Sequence, residues 1–157
     1  MNGAVAWALL IKGSALTKLG RHNEATRSYD DVVRRYGNMS HAALNQPVAW
    51  ALFQKGLALG RLGLRKESTE AYDEVVRRFG NVPDAQLGEQ VASALLNKAA
   101  ALQKSDPEEA KRALQGVIRR FDVASNPLLR LIVQNARGQL RQLDAIPPAP
   151  PLSPAGN

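Results

Sequence analysis

The stretch Val5–Asn38 returns almost intact 43 residues later as Val48–Asn81, with 21 of 34 aligned positions identical, and a third, more divergent copy starts at Val91. A repeat of that length constrains the fold more than any single motif. One unit is too small to bury its own apolar face, so like units must stack and share a core. Function then belongs to the surface that the stack creates.

Each unit predicts a helix pair. Val5, Leu9, Lys12, Gly13, Leu16 and Leu19 recur at three- and four-residue steps and mark helix A, which Leu19-Gly20-Arg21 breaks. Ala25, Tyr29, Val32, Val33 and Tyr36 form the stripe of helix B, with Gly37-Asn38 expected as a left-handed stop. The same grammar runs through Val48–Leu62 and Arg65–Phe79, closed by Gly80-Asn81. In the third copy, helix A is expected over Asp84–Lys104 and helix B over Pro107–Phe121, with a one-residue deletion between them. Ser105-Asp106-Pro107 reads as a helix start, a capping residue followed by proline where its missing N–H costs nothing.

Ser40 and Asp84 are the expected caps of a lengthened helix A, which places Pro47 inside the second such helix as a kink; the other reading makes Pro47 its true start. Pro127–Asp144 has no partner and reads as a capping half-repeat. The expected organisation is a repeat domain over 1–145, with repeats at about 4–38, 41–81 and 84–122 and a capping helix at 126–144. The proline-rich segment 146–157 is expected to be a disordered tail or stiff linker.

Composition narrows the function classes. The chain has no cysteine, which removes disulfides, thiolate metal sites and cysteine nucleophiles and fits a reducing, cytoplasmic location. No apolar run approaches the roughly 20 residues of a membrane span. His22 and His41 are expected at exposed turns, with no paired carboxylates or phosphate-binding loop nearby, so no catalytic, metal or cofactor site is expected.

Gly13, Leu16, Gly20, Glu24-Ala25, Tyr29 and Val32, repeated as Gly56, Leu59, Gly63, Glu67-Ser68, Tyr72 and Val75, resemble the tetratricopeptide repeat pattern. The third copy keeps Ala99, Leu102, Glu109-Ala110, Leu114 and Val117. The period, 43 residues here, is longer than the usual tetratricopeptide unit and is similar to that of the longer bacterial variants. The resemblance implies an all-α fold, a right-handed α-solenoid of antiparallel helix pairs with three repeats and a C-terminal capping helix. It also implies a non-catalytic protein-binding scaffold whose concave wall is built from helices A.

On that wall the family geometry places Trp7, Leu10, Ser14 and Lys18, then Trp50, Phe53, Leu57 and Arg61, then Ser93, Leu96, Ala100 and Lys104. These give a groove with an apolar floor and a basic rung, suited to a peptide or helix of a partner protein. The other reading packs Trp7 and Trp50 into the core between repeats. Leu10 and Ser14 stand where chaperone-tail-binding members of the family carry lysine and asparagine, so that activity is not expected.

Part of the positive charge behind the net +7 sits in the arginine pairs Arg34-Arg35, Arg77-Arg78 and Arg119-Arg120. In the first two repeats Asp30, Asp31, Asp73 and Glu74 precede them by four residues and are expected to pair with them along the helix. In the third, Gln115 and Gly116 replace the acids, which makes Arg119 and Arg120, with Arg112 and Arg130, the expected anion contact. Lys12, Lys55 and Lys98 are expected to lie over apolar surface and reach a helix B acid such as Asp30 or Asp73. Two alternatives to peptide binding follow. One is homo-oligomerisation through an uncapped first repeat; the other is nucleic-acid or anion binding by the basic C-terminal half, disfavoured by the apolar wall.

Overall fold

A computed structural model describes residues 2–39 and 41–145, so the expectations for Ser40 and for the proline-rich segment 146–157 fall outside the described residues. Among the described residues there are seven α-helices and no strand. They are α1 (Asn2–Lys18), α2 (His22–Tyr36), α3 (Asn45–Arg61), α4 (Arg65–Phe79), α5 (Ala85–Leu102), α6 (Pro107–Phe121) and α7 (Pro127–Asp144). Each helix packs on the next, and α1, α3, α5 and α7 also touch in succession, so the odd-numbered helices form one wall and α2, α4 and α6 the other. This is an all-α solenoid of tetratricopeptide-like helix pairs.

Within a pair, a small residue on one helix admits a large one from the other. A Cβ at Gly13 would lie 2.5 Å from Cε1 of Tyr29, and one at Gly56 would lie 2.5 Å from Cε1 of Tyr72. The third pair has Ala99 and Leu114 at these positions, both buried, so a larger residue on α5 is matched by a smaller one on α6. The left-handed backbone sits at Gly20 (φ 74°) and Gly63 (φ 77°), in the turns between paired helices. Gly37 and Gly80, expected as left-handed stops, instead have φ of −63° and −61°. Their smallness is what counts: a Cβ at Gly37 would come within 2.6 Å of Nη1 of Arg78.

Pro47 marks a start rather than a kink. The helix begins at Asn45 after a single 3-10 turn at Ala42–Leu44, and Pro47 lies buried in the first turn of α3. There its missing N–H breaks no intrahelical bond, whereas an interior position would lose one. At the third pair both expected caps form. Asp84 accepts from the amides of Gln86 and Leu87, and Asp106 accepts from the amide of Glu109 at 2.9 Å.

A repeated clasp joins the first three pairs. Nζ of Lys55 donates to Asp30 of the preceding pair at 2.5 Å, and Nζ of Lys98 donates to Asp73 at 2.7 Å. Alongside, Nη1 of Arg78 donates to the carbonyl of Gly37 at 3.0 Å and Nη1 of Arg120 to that of Gly80 at 3.1 Å. Asp30 and Asp73 therefore do not pair along their own helix as expected. Glu74 does, accepting from Arg78 four residues on and also from Arg77, whereas Asp31 accepts from Arg34, three residues on, rather than from the expected Arg35.

The last interface is built differently. Gln115 and Leu140 stand where Asp73 and Lys98 stand one pair earlier, and the ion pairs Lys111–Asp144 (2.9 Å) and Arg137–Asp122 take over. On α7 the exposed stripe Arg130, Gln134, Arg137 and Arg141 occupies the register that Gly88, Ala92, Leu95 and Ala99 occupy on α5. A polar stripe thus stands on α7 in place of the apolar one on α5.

Candidate partner-binding groove

Helix periodicity gives α3 two working faces. Val48, Ala51, Leu52 and Leu59 are buried, while Trp50 remains 36% exposed with the half-buried Phe53 beside it, ring centroids 6.4 Å apart. Phe53 in turn lies against Tyr72 at 6.0 Å, which anchors the exposed aromatic to the core. Trp7 occupies the equivalent position on α1 and is 43% exposed. The reading that packs both tryptophans into the core is therefore set aside.

These rings line a depression of about 460 Å³ that also involves Gln46, Gln86, Glu89, Gln90, Ser93 and Leu128. The third repeat carries Ser93 where the first two carry tryptophan, and Leu128 at the start of α7 restores apolar surface there. Asn126 fixes that corner. Its Oδ1 accepts from the amides of Leu128 (2.8 Å) and Leu129 (3.2 Å), while its Nδ2 donates to Oε1 of Glu89 at 2.7 Å. Gln46 donates to Gln86 across the α3–α5 boundary, and Oε1 of Gln90 is buried without a hydrogen-bond partner. The lining is thus aromatic and amide-rich, holds one carboxylate, and has no basic side chain.

Leu57, Arg61 and Ala100 line a second depression, of about 490 Å³, towards the other ends of the same helices. Ser14 and Leu96 are half-buried; Lys18 closes α1, Arg61 closes α3, and Lys104 is exposed in the turn after α5. Leu10 is a correction: at 2% exposure it is core, on the side of α1 away from solvent, and cannot touch a ligand. The sequence reading missed Gln46, Gln86, Glu89, Gln90 and Leu128. Gln46, Glu89 and Gln90 lie one turn before Trp50 or its equivalent Ser93, where polar side chains carry no periodic mark, while Gln86 and Leu128 stand in the first turns of α5 and α7 and join the site only through the packing of these helices.

The expected anion contact is not assembled from free cations. Arg120 is spent on the Gly80 carbonyl, and Arg112 pairs with Glu109 at 2.6 Å. Arg119 is exposed, and Arg130 belongs to the polar stripe of α7. The lysine expectation holds for two of three. Lys98 is buried and bridges Asp73 and Glu109, both at 2.7 Å. Burial opposes its charge, but the bonds to Asp73 and Glu109 outweigh that and raise its pKa. Glu109 is held below the usual carboxylate range by Lys98, then by Arg112. Lys55 pairs with Asp30, whereas Lys12 is exposed. His41 is exposed as expected; His22 is instead half-buried in the first turn of α2, its Nδ1 without a partner.

Among the described residues no cluster of histidine, cysteine or carboxylate side chains has metal-binding geometry, and no helix is long and apolar enough to cross a membrane. The tetratricopeptide repeat family model matches residues 7–38 and 93–122, the first pair and most of the third. No curated protein matches the chain. The middle copy, 48–81, is tied to the matched segments by its likeness to the first.

Proposed function

We propose that this chain, a tetratricopeptide-like repeat protein, is a non-catalytic scaffold that binds a short segment of a partner protein along the wall of α1, α3, α5 and α7. Repeats of this family generally mediate protein–protein interaction. The observation that carries the reading is the pairing of Trp7 and Trp50, well exposed on adjacent repeats and facing one depression with Phe53 and Leu128. Exposed aromatics held rigidly by neighbours are what hot spots are made of, because they bury large area at little cost in side-chain entropy.

The lining selects the ligand's chemistry. An apolar or aromatic side chain would fill the space between the indoles, and Gln86, Gln90 and Ser93 offer hydrogen bonds to its backbone. Glu89 favours a neighbouring cation and disfavours an acidic tail at this end. Arg61 lies eleven residues along α3 from Trp50, about 16 Å, so an extended segment carrying an acid further along would meet it. The absence of cysteine suits a reducing, cytoplasmic setting.

A displayed random-peptide selection against the immobilised chain tests this. Enriched sequences should share an apolar anchor and fail to bind Trp50→Ala/Phe53→Ala. Enrichment of acidic peptides that bind that variant as well would refute the groove.

A further inference from the structure

We infer that the outward face of α1 and α2 is a second docking surface, distinct from the groove, which receives one amphipathic helix of a partner protein bearing an acid seven residues before its C-terminal carbonyl. On α3 the stripe Val48, Ala51, Lys55 and Ala58 lies against the preceding α2, and on α5 the stripe Val91, Ala94, Lys98 and Ala101 lies against α4. The same four residue types occur in the same register on α1 as Val5, Ala8, Lys12 and Ala15. Among the described residues no element covers them: Val5 is 45% exposed, against 3% for Val48 and 1% for Val91. Ile11 beside them is 69% exposed. A helix apolar on nearly every side is ordinarily buried on every side.

The charges identify the occupant. At the two internal interfaces the lysine takes Asp30 or Asp73, and an arginine takes the carbonyl of Gly37 or Gly80, seven residues later in each case. On α1 and α2 the matching donors are Lys12 and Arg35, both exposed, with no salt bridge among the described residues. The incoming helix must therefore supply the carboxylate and the terminal carbonyl at that spacing. Its side toward α1 follows α2 and α4, where threonine, aspartate, valine and glycine stand at Thr26, Asp30, Val33 and Gly37 and again at Thr69, Asp73, Val76 and Gly80.

A second copy of the folded chain does not meet these demands. Its two acid-bearing stripes are already engaged by α3 and α5, and the α6 register offers Gln115 and Asp122 under α7. Pairing two α1 faces would set Lys12 and Arg35 against their own kind, and like charges in contact are repulsive.

The probe is a helix-stabilised, fluorescent peptide with the sequence of residues 64–81, whose free form presents the Thr69, Asp73, Val76 and Gly80 stripe. Titrated with the whole chain, it should bind one to one. Lys12→Glu should weaken it by about tenfold or more, as expected for turning a close charge pair into a like-charge contact. A peptide carrying Asp73→Lys should recover binding to Lys12→Glu, which a misfolded variant could not do. Ala8→Arg should block both peptides sterically. No binding, binding unmoved by Lys12→Glu, or binding lost only with Trp50→Ala/Phe53→Ala would overturn the proposal. So would sedimentation showing that the chain alone dimerises through an Ala8→Arg-sensitive contact, which would give the face to a second copy.

Discussion

Cε1 of Tyr72 lies 2.5 Å from the point where Gly56 would carry a Cβ, so the approach of α3 to α4 is set by the absence of a side chain at that glycine. In an open helix, Gly→Ala stabilises by about 0.5–1 kcal/mol through backbone entropy. At Gly56 overpacking opposes that gain, and forcing the Tyr72 ring aside costs about 1–3 kcal/mol. Gly56→Ala should therefore lower the urea midpoint. Gly138→Ala, on α7 with nothing within 4 Å of its would-be Cβ, should raise it. Combining Gly56→Ala with Tyr72→Leu, the pairing that Ala99 and Leu114 use, should recover much of the loss.

The bridge of Lys98 to Asp73 and Glu109 makes stability depend on pH at both extremes. Glu109 has a depressed folded-state pKa, so its contribution is present above its unfolded value, near 4.3, and is lost as pH falls through the folded one. Lys98 has a raised pKa, so its contribution is present below its unfolded value, near 10.4, and is lost as pH rises beyond it. Thermal melts of Glu109→Gln should show a smaller drop between pH 6 and pH 3 than the parent chain. An identical drop would place the acid sensitivity elsewhere.

Asn126 caps α7 and also holds Glu89 at the groove edge. Asn126→Ala should cost about 1 kcal/mol of stability, the usual worth of such a cap. Asn126→Asp keeps an N-terminal acceptor but sets a carboxylate against Glu89. Its stability deficit relative to the parent should shrink as pH falls through the carboxylate range, which chemical denaturation at pH 7 and pH 4 would measure.

The fold was legible because its marks are repeated. Gly13 and Tyr29 recur as Gly56 and Tyr72, and two such pairs define a helix-to-helix approach without any coordinates. The clasp was half legible. That Lys55 and Lys98 seek a helix B acid followed from a charge on a buried stripe, but whether the acid belongs to the same pair or the preceding one depends on stacking geometry. Arg78 and Arg120 read as helix-end cations, and nothing local in sequence says that their guanidinium groups reach a carbonyl some forty residues back. Leu10 was misplaced for a related reason. A helix as uniformly apolar as α1 does not show in sequence which leucine faces its partner helix and which faces solvent.

Trp7 and Trp50 are the chain's two tryptophans, and both line the proposed groove, so intrinsic fluorescence reports directly on its occupation. Titrating the chain with a peptide selected for binding should shift the emission saturably. Trp50→Ala/Phe53→Ala should raise Kd by about tenfold or more, since aromatic hot spots typically carry at least 2 kcal/mol. Lys12→Glu should leave it unchanged. Saturable binding, seen by calorimetry, with no change in tryptophan emission and no loss in the Trp50→Ala/Phe53→Ala variant would contradict the groove as the site of partner recognition.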